Sequence, residues 1–307
     1  MRVAAAITVF LTSFFLVISC GDASNKRYND TVTKGRINIS VDETFKPVIE
    51  EQIKVYQSTY PEAEIIASYK SEADCFRDIQ NDSTRLIIVT RGLNPNEREF
   101  FKSSLNYVPE YDVVAYDAVA VIVNKASNDT LFTLEKLSSY LSGKDSSKSV
   151  VLDGKNATST VRYVMDSLLR GAPFGKNVMA AKSSEEVIDF VANNANTIGM
   201  VGLSWFGDST NPEQREYMKK VKYALVECKA CEEKGIFAKP SQATVTYSQY
   251  PLVRGIYFVL KENFTGLGTG FAGFMSQERG QLIFRRAHLV PGKMVFRKRT
   301  TDIKDEE

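Results

Sequence analysis

The sequence predicts an α/β fold built as two lobes, and three observations carry that expectation. Strand-length apolar runs alternate with helix-period segments from residue 36 onward, which argues for parallel strands joined by helices. LIIVT at 86–90 is a short, continuously apolar run, as expected of a strand buried on both faces. Two longer apolar stretches, 113–124 and 252–260, stand apart from the alternation and suit strands that cross between lobes.

Taken in order, RINISV at 36–41 alternates as a short strand. Between Thr44 and Tyr60, the residues Phe45, Val48, Ile49, Ile53 and Tyr56 recur at helical spacing. Pro47 falls in the first turn, where its missing N–H costs nothing. AEIIASY at 63–69 forms a second strand, 71–81 a second helix, and NPNEREFFKSS opens a third helix after the buried strand. VVAYDAVAVIVN at 113–124 is too long and apolar for an edge strand. LEKLSSYLSG follows as a helix ending at Gly143. SVVLD, TSTVRYVMDSLLRG, NVMAAKSSEEVIDFVANN and TIGMVGLSW then repeat the alternation. LVRGIYFVL at 252–260 is a late strand, and FAGFMSQERGQLIFRRA a closing helix. The expected first lobe comprises 35–115 and 255–300, with 116–254 inserted as the second.

Composition narrows the function. With 307 residues, 43% hydrophobic and 25% charged, the chain is globular. A net charge of +2, without basic blocks, gives no field directed at nucleic acid. No GxSxG elbow, HExxH or Walker loop occurs, and His288 is the single histidine, so an enzyme is not expected. Neither a cofactor nor a metal is implied. Cys228-Lys-Ala-Cys231 has CxxC spacing, compatible with a redox pair or half a zinc site. Its polar surroundings suit a local disulfide in an exported protein better.

The first nineteen residues carry Arg2 and then a continuous apolar run to Ser19, a secretory signal to be left out of the fold. Val17-Ile18-Ser19-Cys20 resembles the lipobox of bacterial lipoproteins. That resemblance implies a lipid on Cys20 and a polar tether over 20–34, holding the body on a bacterial membrane and facing the periplasm or the outside. The alternative is a transmembrane anchor, since the run is long enough to span.

Ligands of parallel α/β sheets bind where strands end and helices begin. Four such junctions here are polar: Ser40–Phe45, Ser68–Glu72, Thr90–Gly92 and the stretch Ala157-Thr158-Ser159-Thr160-Val161-Arg162. Free backbone N–H groups, rotatable hydroxyls and a guanidinium fork suit an oxyanion. Ordinary helix capping uses the same residue types.

Further motifs carry a family resemblance. GRINISVDETFKP, AYDAVAVIVN, TIGMVGLSW and GLGTGFAGFMSQERGQLIFRRAHLVP, in this order, resemble the phosphate-binding lipoproteins of ABC-type phosphate importers. These have the type II periplasmic-binding-protein fold, two α/β lobes with a cleft and two crossover strands. The resemblance implies a monomeric protein that captures inorganic phosphate or a similar oxyanion and delivers it to an ABC permease. By position it assigns ligand contacts to Thr44, Phe45, Ser71, Thr158, Ser159 and Thr160. Two features depart from the pattern. The family's acceptor Asp after the third strand is replaced by Thr90-Arg91, and its Arg ahead of the hydroxyl run by Asp153-Gly154. Arg91, with Arg162 as a second candidate, is then expected to supply the cation, and Asp153 or Asp42 the acceptor. Another oxyanion, an organophosphate, or a surface sensing or interaction role without anion binding remain the alternatives.

Overall fold

The computed structural model describes residues 30–81, 83–154, 158–208 and 210–294. The signal segment 1–19, the lipidation candidate Cys20, the tether up to residue 29 and the lobe's tail at 295–300 lie outside the described residues. Among the described residues no helix is long and apolar enough to cross a membrane.

β1 (Gly35–Asp42) runs into a 3-10 turn at Glu43–Phe45 and then α1 (Lys46–Thr59), with Pro47 in its first turn. β2 (Ala63–Lys70), α2 (Glu72–Asp78), β3 (Thr84–Val89) and α3 (Pro95–Leu105) complete the first lobe's opening half. β4 (Glu110–Asn124) leads across to β5 (Leu131–Phe132), α4 (Leu134–Ser142), β6 (Ser149–Asp153) and α5 (Ser159–Val164). α5 widens into a π turn at Met165–Leu169, so the predicted helix is regular for only part of its length. β7 (Val178–Ala181), α6 (Ser184–Asn193), β8 (Thr197–Gly202), α7 (Pro212–Lys220) and the short strands β9 (Val221–Tyr223), β10 (Leu225–Glu227) and β11 (Phe237–Ala238) follow. The chain returns through α8 (Gln242–Thr246) and β12 (Val253–Leu260), and closes with α9 (Leu267–Ser276), α10 (Glu278–Arg286) and β13 (Val290–Pro291).

The strands join in the order β2-β1-β3-β12-β4-β8-β6-β7, with β9 and β13 also on β4. Within each lobe the pairs β1/β2, β1/β3, β6/β7 and β6/β8 are parallel. The two crossovers are antiparallel to each other and to their neighbours, so the sheet is mixed rather than wholly parallel. β4 changes partner midway. Glu110–Ala118 lies against β12, and Val119–Val123 against β8. All six residues of β3 are buried, because it is paired on both edges and covered on both faces.

The closing helix predicted over 271–287 is two helices broken at Gln277, which ends one and starts the next. The break folds Gly280 against the backbone of Phe274 and Met275, where an added Cβ would lie 2.3 Å from the Phe274 carbonyl oxygen. Gln281 then reaches back to donate to the carbonyls of Met275 (2.7 Å) and Val114 (2.9 Å). Gly143 caps α4 in the left-handed conformation, with φ 73°. Cys228 and Cys231 are joined as a disulfide within the polar excursion after β10. Trp205 is buried in the second lobe's core with Val187, Val191 and Tyr217, whereas His288 is exposed beyond α10.

Candidate functional site

Three parts of the fold converge on one buried polar cluster between the lobes. From the first lobe, β1 ends in Asp42, whose Oδ1 accepts the Thr44 N–H at 3.0 Å and so folds the 3-10 turn. That turn aims Thr44 across the cleft. Its Oγ1 donates to Asp153 Oδ2 at 3.2 Å and lies 3.4 Å from Ser159 Oγ. From the second lobe, Asp153 ends β6 and Thr158 caps α5, accepting the Val161 N–H at 3.2 Å. Thr158 and Thr160 donate to the two oxygens of Asp153, each at 3.2 Å, and Ser184 Oγ reaches it at 3.5 Å. Asp42 Oδ2 accepts the Ser159 N–H at 3.3 Å, a second bond between lobes. Glu43 adds a third, accepting from the Ser184 backbone at 3.2 Å and its hydroxyl at 3.0 Å.

The crossover strands supply the cation. Arg254 on β12 and Asp117 on β4 are register partners, which places their side chains together. Arg254 Nε donates to Asp117 Oδ2 at 2.9 Å, and Nη2 lies 2.8 Å from the same oxygen. Nη1 donates to Ser159 Oγ (3.0 Å) and Thr160 Oγ1 (3.3 Å), so the guanidinium bridges from the crossover to the hydroxyl run. The Phe45 ring supports it from 5.3 Å. Thr44, Asp117, Ser159 and Thr160 are 0% exposed and Arg254 5%, so the cluster is out of water.

Burial dominates its titration. Asp153 is pushed up to about 7, first by desolvation and then by the charges of Asp42 and Glu43, with Arg254 and the Thr160 bond acting in the opposite sense. Asp42 is raised as well, by burial and then by Glu72. Arg254 stays charged: burial works against it, but Asp117, Asp42 and Asp153 outweigh that. Asp42, Glu43 and Asp153 thus oppose one another's charge, and Arg254 is the buried cation that offsets them.

The structure brings Thr44, Thr158, Ser159 and Thr160 together, with Phe45 packed beneath Arg254. Other expected ligand contacts lie elsewhere. Ser71 caps α2, accepting the Asp74 N–H at 3.2 Å and donating to its carboxylate at 2.6 Å. Arg91 does not join the cluster. Its guanidinium forks onto Glu97 at 2.7 and 2.8 Å and stacks 3.7 Å from the Phe76 ring centroid. Glu97 is drawn there because it also closes the capping box of α3. Arg162 points to the mouth of the cleft and engages Glu72 and Thr90. Sequence reasoning missed Arg254, Asp117 and Ser184. A usable signal existed for two of them: a lone charge of opposite sign in each of the two crossover runs.

Two outcomes follow from this geometry. If the cluster takes an anion, Arg91→Ala leaves its affinity, measured by calorimetry, within about twofold of the parent, because the guanidinium is engaged by Glu97 and Phe76 away from the cluster, in a partly exposed pair worth only about 0–1 kcal/mol. Gly202→Ala weakens binding much more. A Cβ there would lie 2.5 Å from Thr44 Cγ2 across the cleft and 3.3 Å from Arg254 Nη2, so the lobes could close only by shifting. The check is binding affinity beside an unchanged melting temperature.

Two α/β lobes, two antiparallel crossover strands and a buried polar cleft between them define a solute-binding fold of the type II periplasmic-binding-protein kind. Residues 28–279 match the family model of the PBP superfamily domain, and the chain belongs to that family. No curated protein matches it in sequence. Among solved structures it is similar to one described as a phosphate ABC transporter substrate-binding protein from Clostridium perfringens with bound phosphate. Identity is 19% and the TM-score 0.69, covering 84% of this chain and 99% of that one. An ABC-type phosphate transport receptor from Vibrio cholerae gives 16% identity and a TM-score of 0.61, covering 84% and 100%. PstS from Borrelia burgdorferi gives 19% and 0.53, covering 84% and 99%.

Proposed function

We propose that this chain is a substrate-binding lipoprotein that captures inorganic phosphate in its interlobe cleft and delivers it to an ABC-type importer. The observation that carries this reading is the desolvated set of hydroxyls in which Ser159 and Thr160 accept from Arg254 and Thr44 reaches across the cleft to Asp153 and Ser159. Hydroxyls that now donate to Asp153 can turn to ligand oxygens, and Arg254 supplies charge-assisted bonds. Above about pH 7, where Asp153 is ionised, it then needs a donor of its own, which a protonated phosphate provides and sulfate does not. Arg254 thus takes the cationic role and Asp153 the acceptor role, so an unprotonated oxyanion leaves a buried acceptor without a partner. The phosphate-bound relative from Clostridium perfringens supports the ligand class. The segment preceding the body supports export and lipid anchoring through Cys20, and the binding fold calls for no catalysis.

Equilibrium dialysis with labelled phosphate tests the site. Thr44→Val and the double variant Ser159→Ala/Thr160→Val each reduce binding at least about tenfold, since each removes a donor from a buried anion. Undiminished binding in both would place the ligand elsewhere.

One observation favours a second reading, a surface sensing or interaction protein. Asp42 and Asp153 already accept the Ser159 N–H and the Thr44 and Thr160 hydroxyls, so the cleft satisfies its own donors with internal carboxylates. Under that reading no labelled phosphate is retained by the parent protein.

A further inference from the structure

We infer that Glu72 and Arg162 form a latch between the lobes at the mouth of the cleft, which sets how long the lobes stay shut and how long a bound anion is kept. The retention half of this inference rests on the anion-binding reading; the closure half does not.

Glu72 is in the first turn of α2, in the first lobe, and its side chain is 4% exposed. Its Oε1 is fixed from within that lobe by Thr90, which donates its N–H at 2.9 Å and its hydroxyl at 2.5 Å. The carboxylate is therefore aimed before any partner arrives. Arg162 comes from α5 in the second lobe. Its Nε donates to Glu72 Oε2 at 2.6 Å, and Nη2 reaches Glu72 Oε1 at 3.3 Å and Thr90 Oγ1 at 2.5 Å. The Thr90 hydroxyl thus donates to the acid and accepts from the base, tying the three groups into one unit. Burial opposes the charge on Glu72, but Arg162 and Thr90 outweigh it and hold the carboxyl below its ordinary range.

Position gives this contact its role. The bonds at the cleft floor, Thr44 to Asp153 and Ser159 to Asp42, use groups that a ligand would need for itself. Glu72–Arg162 uses none of them, so it holds the lobes equally with the cleft empty or filled. A contact of that kind shifts the population of the closed state by its own free energy. It is also built to release. Outside it lies a cavity of about 300 Å³ lined by Phe76, Arg91, Val161 and Met165, and the Arg162 side chain is 37% exposed toward solvent. On opening, Glu72 keeps both bonds from Thr90, and Arg162 keeps Asp166 at 3.4 Å, so neither charge is stranded.

The test compares the full chain with Arg162→Ala and Thr90→Val by small-angle scattering without ligand, and by stopped-flow release of inorganic phosphate. The latch predicts a larger radius of gyration for Arg162→Ala, a smaller increase for Thr90→Val, and phosphate release about fivefold faster in the first variant, as expected on breaking a charge pair of which only Glu72 is buried. Unchanged melting temperatures separate opening from unfolding. Identical scattering for parent and variants overturns the inference. Should Arg162→Ala fail to fold, the near-isosteric Thr90→Val decides by the same measure. A parent protein that takes up no phosphate defeats the anion reading alone, and the scattering comparison still decides the latch.

Discussion

Arg254→Gln abolishes phosphate binding and costs about 3–5 kcal/mol of stability, because it strands Asp117 as an uncompensated buried charge. The two losses have different origins and are separable. Asp117 Oδ2 receives both the Nε bond and the Nη2 contact, and its Oδ1 accepts the Leu203 N–H at 3.0 Å, so the pair ties β12, β4 and the end of β8 together. Nη1 alone faces Ser159 and Thr160. A double variant, Arg254→Met/Asp117→Leu, removes both charges and replaces them with apolar groups of similar size. It recovers most of the lost stability without regaining any binding. Urea denaturation reads the first effect and calorimetry the second. Recovery of binding in the double variant would mean that Arg254 is structural.

Asp153→Asn flattens the pH dependence of stability between about pH 4 and 7. In the parent, the folded state holds the Asp153 proton up to about 7, whereas the unfolded chain releases it near the ordinary carboxyl value of 3.8. The folded state therefore binds more protons across that window, and its stability falls as pH rises through it and levels off above. The interval corresponds to on the order of 4 kcal/mol as an upper bound, shared by the coupled Asp42–Asp153 pair. Asp42 and Glu43, both raised by burial, act in the same direction. Glu72 and Asp30, both lowered, contribute stability that is lost only at more acid pH. Chemical denaturation at pH 5 and pH 8 shows the parent more stable at pH 5, and the variant keeping only the smaller difference that Asp42 and Glu43 contribute. Some of the gain at pH 8 is offset by weaker acceptance from Thr158 and Thr160. A parent equally stable at both values would mean that Asp153 is ionised throughout.

The elements of this fold were largely legible because they depend on local period. Ile49, Ile53 and Tyr56 mark a helix face wherever that helix goes, and the buried run around Ile87 can only be a central strand. Half of the candidate cluster was legible for the same reason. Thr44 and the hydroxyls of Thr158, Ser159 and Thr160 sit at strand-to-helix junctions that can be read from one segment. Arg254 was not legible, since its meaning comes from a register with Asp117, 137 positions away in sequence. Arg91 looked equally suitable as the cation at a strand end. Its fate is settled six residues on by Glu97, which accepts the Asn94 N–H at 2.8 Å and takes the guanidinium as well. The break at Gln277 was hidden because apolar spacing continues through it, and only the tertiary contact of Gly280 requires it.

The most direct test of the central claim is a calorimetric titration of the anion-stripped protein with phosphate and then sulfate, at pH 6 and pH 8. A cleft built on Arg254 with ionised Asp153 as acceptor binds phosphate at pH 8, where the ligand still carries a proton to donate, and gives no response to sulfate there; at pH 6, where Asp153 holds its own proton, that discrimination weakens. Equal binding of phosphate and sulfate at both values would contradict the acceptor role of Asp153, and silence from both would contradict anion capture altogether.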